Sequence, residues 1–224
     1  MLSTDEVKEY ITKYVEQYPV SKHLHFKVRN TPQEFEHKLS ARYEHATAAY
    51  YPYKNEQDNR HGCIDVVANH HRSFLDLRRS LNHEILGHYG LNILTPENKK
   101  QLLDGIIANQ ETLFDFWDEV NRMYKGEPLY LRAEEVFCLA VEDLDHSMHA
   151  DLTPPEQHSL SPLTVSGLKN IALDIANGIS NNAPQRTFLH EDITYLDFKA
   201  HKEAAIARDT MEEFMVEVSD DLER

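Results

Sequence analysis

Val7, Tyr10, Ile11, Tyr14, Val15 and Tyr18 recur at three- and four-residue steps, the signature of an amphipathic helix that starts at the capping pair Ser3 and Glu6 and ends before Pro19. Leu24, Phe26 and Val28 then alternate with His23, His25 and Lys27, which predicts a strand with one buried face. Thr31-Pro32 with Glu34 opens a short helix. The aromatic stretch Ala46 to Tyr53, the polar turn Lys54 to Gly62 and the β-branched run Cys63 to Ala68 predict two antiparallel strands. From Phe74 through Leu77, Leu81 and Ile85 the spacing is helical again, carrying into His83-Glu84-Ile85-Leu86-Gly87-His88 before Gly90.

Three helical runs follow at about Pro96 to Ala108, Gln110 to Lys125 and Leu129 to His149, with Gly126 and Pro128 as punctuation. Asp151 to Pro162, rich in proline, reads as a linker, and Ser166 to Ala176 and Tyr195 to Val218 as further helices. The expected class is α+β: a small antiparallel sheet packed on the helix that carries the histidines, with helices around it. The expected organisation is one domain over residues 1–150 and a helical C-terminal extension over 151–224, packed on that domain.

Composition narrows the function. The 224 residues carry 38 Asp and Glu against 23 Lys and Arg, a formal charge of −15, so long-range electrostatics oppose a phosphate-backbone partner and no nucleic acid is expected. No stretch approaches the roughly eighteen apolar residues of a membrane span, and Met1 to Glu16 interleaves charges where a signal peptide would be apolar. Cys63 and Cys138 form no paired framework, as in a reducing compartment. The expectation is a cytoplasmic protein with no membrane partner.

His83, Glu84 and His88 carry the candidate chemistry. A catalytic zinc needs two or three imidazole or carboxylate ligands, an open position, and a carboxylate near the bound water. In HExxH the histidines are four residues apart and share a helix face; here the interval is five, HExxxH. Five residues of α-helix turn through about 140°, which would separate the rings. A turn closing at five residues, or unwinding at Gly87, would bring them together, so a helix irregularity is predicted between Glu84 and Tyr89. The alternative pair is Glu84 with His88, four apart, leaving His83 outside the coordination. On the later segment Arg132-Ala133-Glu134-Glu135-Val136-Phe137-Cys138, at least one glutamate abuts the apolar helix face.

Within about Gly62 to Glu142, LNHEILGHYGLNIL and AEEVFCLAVE resemble the active-site and third-ligand helices of the zincin-like metallopeptidase domains of phage and plasmid polyvalent proteins. The five-residue interval is also similar to the HExxxH of the tubulin tyrosine carboxypeptidases. The resemblance implies a zincin-like fold binding Zn2+ through His83, His88 and Glu135, with Glu134 as the alternative third ligand. It implies Glu84 as general base, taking the proton of a metal-activated water that attacks a peptide bond, and hence a peptide or protein substrate. Tyr130, His146 and His149 flank the third-ligand helix as candidate oxyanion donors. Two other readings stand beside this zinc-dependent peptidase. One is a non-enzymatic acidic interaction protein of a mobile element, of the DNA-mimic or anti-restriction type. The other is a zincin fold holding its metal for structure only.

Overall fold

A computed structural model of the chain describes residues 1–17, 23–32, 46–52, 61–144, 164–180, 187 and 190–222; at 174–180 and 208–222 the backbone alone is described. The expected short helix after Pro32, most of the turn Lys54 to Gly62, Tyr53, His146, His149, the linker Asp151 to Pro162 and the expected boundary at 150 lie outside the described residues.

The class is α+β and mostly helical. Helix α1 spans Thr4–Gln17. Its start is the capping box read from the sequence: the Glu6 carboxylate accepts from the Ser3 backbone N–H at 2.8 Å, and the Glu6 N–H donates to Ser3 Oγ at 3.3 Å. Strands β1 (Leu24–Arg29), β2 (Ala48–Pro52) and β3 (Gly62–Val67) form one sheet in the order β1-β3-β2. β2 runs antiparallel to β3 as expected, but β1 pairs with β3 in parallel, Leu24 opposite Gly62 through Arg29 opposite Val67. The expected antiparallel sheet is therefore corrected to a mixed one. Alternation along β1 reports which face is buried and is silent on strand direction. β3 is buried at every position, as befits a central strand covered on both faces.

After a 3-10 turn at Ala68–His70, helix α2 (Phe74–Leu81) starts at Ser73, whose side chain accepts from the Asp76 N–H. It runs without a break into a π-helical segment, Asn82–Tyr89, and then α3, Gly90–Asn92. Leu77, Leu81, Ile85, Leu86 and Tyr89 of this run are all fully buried, each worth about 1.5–3 kcal/mol against exposure. Helices α4 (Pro96–Ala108), α5 (Phe114–Met123) and α6 (Leu129–Val141) follow, then α7 (Val165–Ser180) and α8 (Ile193–Leu222). α6 lies across the π segment and also meets α4, α5, α7 and α8, so it is the central helix. Among the described residues no helix is long and apolar enough to cross a membrane.

Asn82 fixes the entry to the π segment. Its side chain accepts from the Tyr14 hydroxyl at 2.8 Å and donates to the carbonyls of Glu142 and Leu144, both at 2.9 Å, tying α1 and the end of α6 to one residue. Gly87 fixes the crossing with α6. A Cβ at that position would stand 2.6 Å from Cys138 Sγ and 3.1 Å from Cys138 Cα, so only glycine permits this approach.

Candidate metal centre

The five-residue interval dictates the local backbone. Because a π turn closes at i+5, His83 and His88 return to the same side of the helix, and their rings meet edge to face with centroids 5.1 Å apart. Both rings point at α6. His83 Nδ1 is bonded to Glu142 at 2.9 Å and His88 Nδ1 to Glu134 at 2.7 Å. Each imidazole thus gives one nitrogen to a carboxylate and keeps Nε2, and both Nε2 atoms face one further carboxylate, Glu135, at 3.4 and 3.7 Å. Two donors at about 2.0–2.1 Å from a tetrahedral zinc are about 3.3 Å apart, so this spacing suits ligands of one ion. Glu135 Oε2 is buried and, among the described residues, has no hydrogen-bond partner, an acceptor left open towards the imidazoles.

His83, His88 and Cys138 form a group able to hold a metal ion, with ligand atoms all within 4.8 Å of one another. Sγ of Cys138 lies in the crossing with Gly87. Burial, with Glu135, Glu134 and Glu84 nearby, pushes its thiol well above the usual range.

The charges are lopsided. Burial alone would push the His83 imidazole down, but Glu135, Glu142 and Glu84 outweigh it and hold the ring well above the usual histidine range. His88 is raised in the same way, against its burial, by Glu135 and Glu134. Burial pushes Glu135 up, and the two imidazoles overcome it to hold the carboxyl low. Glu84 is 6% exposed, and there burial wins, raising its carboxyl against the pull of His88 and His83. Without a metal, the surplus of carboxylates is met by protons on the imidazoles; a divalent cation answers the same field.

The sequence candidates divide accordingly. His83, Glu84, His88 and Glu135 come together. Glu134, the alternative third ligand, sits on the far nitrogen of His88, and its second oxygen is held by Lys99 at 2.9 Å and by the Thr194 hydroxyl at 2.5 Å. Tyr130 is directed elsewhere, its hydroxyl donating to Asp104 at 2.6 Å. The sequence reading missed Glu142, Lys99, Thr194 and Asp192. Glu142 has the one sequence cue, standing seven residues, two helical turns, after Glu135.

Over 186 residues, 76% of this chain, the sequence is 33% identical to DNA primase TraC of Escherichia coli, and the chain spans 13% of that protein's length. No protein-family model matches the chain, and no solved structure matches it. These findings correct four expectations. The relative found is a DNA primase, so the resemblance to zincin-like metallopeptidase domains does not stand as the chain's relationship. The zinc-dependent peptidase, with its protease and hydrolase character, is overturned by the same similarity, which leads to DNA, and the charge-mimic alternative gains nothing from it. The expectation of a peptide or protein substrate with no nucleic-acid partner falls with it: a net charge of −15 describes the whole surface and cannot exclude a local site for a phosphate.

Proposed function

We propose that the chain is a metal-centred enzyme module of a DNA-processing protein, holding one zinc ion through His83, His88 and Glu135. The observation that carries it is the pair of Nε2 atoms facing the buried Glu135 carboxylate, His83 towards Oε2, which has no hydrogen-bond partner among the described residues, and His88 towards Oε1, while a carboxylate occupies each Nδ1. Carboxylates on the far nitrogens fix ring orientation and raise ligand basicity. Two imidazoles and one carboxylate are a common zinc donor set and leave a fourth position free. Bound there, the metal supplies a Lewis-acid centre for a phosphate oxygen, a local positive charge on a chain that otherwise repels polyanions. Glu84, whose carboxyl burial holds above the ordinary range, is the group that moves a proton beside that position. The similarity to DNA primase TraC supports DNA, or the nucleotides from which it is made, as the substrate class, and transfer of a nucleotidyl group as the reaction.

The test is binding of a labelled single-stranded oligonucleotide, read by fluorescence anisotropy, with zinc and after its removal by a chelator. Binding should require zinc and disappear in His83→Ala and His88→Ala. Zinc-independent binding, or none in either state, would overturn the proposal.

A further inference from the structure

Lys99 of α4 is completely buried. Its ammonium lies 2.9 Å from Asn92 Oδ1, from both carboxylate oxygens of Asp192 and from Glu134 Oε2. The Thr194 backbone N–H donates to Asp192 at 2.9 Å, and its hydroxyl donates to Glu134. Just upstream, Thr187 donates through its N–H to the Asn92 carbonyl and through its hydroxyl to that of Leu94. The segment entering α8 is thus fastened to the end of the histidine-bearing run, and its polar groups reach His88 through one residue, Glu134.

A network like this is expensive as mere packing. Apolar side chains of the same volume commonly serve a core as well as a buried ion cluster does. One ammonium against two carboxylates also leaves a negative charge uncompensated within the cluster, and the group facing it is the His88 imidazole.

We infer that Lys99, Asp192 and Thr194 are positioning residues for the metal centre: they clamp Glu134 onto Nδ1 of His88, so that the C-terminal arm sets how tightly the metal is held. The inference rests on the metal reading above and extends it to residues that never touch the ion. It gives the C-terminal helix a defined task at the site.

The test compares full-length Lys99→Met, Lys99→Met/Asp192→Asn and Thr194→Val with the parent chain. The double variant removes one cation and one carboxylate, so it keeps the net charge of the cluster and avoids stranding two buried carboxylates together. Zinc affinity is measured by competition with a chromophoric chelator. The visible spectrum of the cobalt-loaded protein reports ligand geometry, and metal-free melting reports the fold. The double variant should melt higher than Lys99→Met yet bind zinc about tenfold more weakly than the parent, with a shifted cobalt spectrum. Thr194→Val should lie between it and the parent. Parental affinity and spectrum in both the double variant and Thr194→Val would overturn the inference and leave the metal reading standing. A parent chain that binds no zinc would overturn both.

Discussion

His83 and His88 each commit Nδ1 to a glutamate, and that division of labour makes the single substitutions informative. His83→Ala and His88→Ala should abolish stoichiometric zinc binding, whereas Glu84→Gln should keep the metal and lose only proton transfer; elemental analysis of the three proteins checks this. Glu142→Gln removes a carboxylate that orients His83, so zinc affinity should fall about tenfold or more by chelator competition. Asn82→Ala removes three hydrogen bonds at once, from the Tyr14 hydroxyl and to the carbonyls of Glu142 and Leu144, each worth about 1 kcal/mol net, so about 3 kcal/mol should be lost in denaturant unfolding. That His83, Glu84, His88 and Glu135 come together was legible because a short motif and an apolar helix face announce them. The partners that hold the two rings were not, since contact between His83 and Glu142, 59 residues apart, is created only when α6 crosses the π segment.

At the scale of elements, the site exists because two helices approach closely and one of them is π-wound. Gly87→Ala would drive a methyl group against Cys138, so a loss of about 1–3 kcal/mol in thermal or denaturant unfolding is expected, partly relieved by Cys138→Ala in the same chain. The π segment was legible from a geometric contradiction: five residues of α-helix would have parted two side chains that the chemistry wants together. The direction of β1 was not legible, since a strand's alternation carries no information about its neighbour. Nor was the burial of His71, the residue that follows the 3-10 turn. It lies fully buried, Nδ1 on the Val67 carbonyl at 2.9 Å and Nε2 on the Ser80 hydroxyl at 3.0 Å.

For the whole molecule, the surplus of buried carboxylates links stability, protons and metal. The imidazoles of His83 and His88 are held above 6.5 in the metal-free protein, so the folded state binds more protons than the unfolded one just above that pH. Their contribution to metal-free stability is complete below the unfolded value and is lost as pH rises through the folded ones. Zinc held by the same imidazoles would displace those protons, so its affinity should move the opposite way. The rise in melting temperature on adding zinc should therefore be larger at about pH 8 than at about pH 6; an equal rise at both would show that no imidazole proton is exchanged for metal. Chelation near neutral pH should lower the melting temperature reversibly.

X-ray absorption at the zinc edge, on protein purified without added metal, tests the centre most directly. The expected result is one zinc per chain with only nitrogen and oxygen neighbours at about 2.0–2.1 Å, two of them imidazoles. Zinc at trace level, or a sulfur neighbour at about 2.3 Å placing Cys138 where Glu135 is assigned, would contradict it.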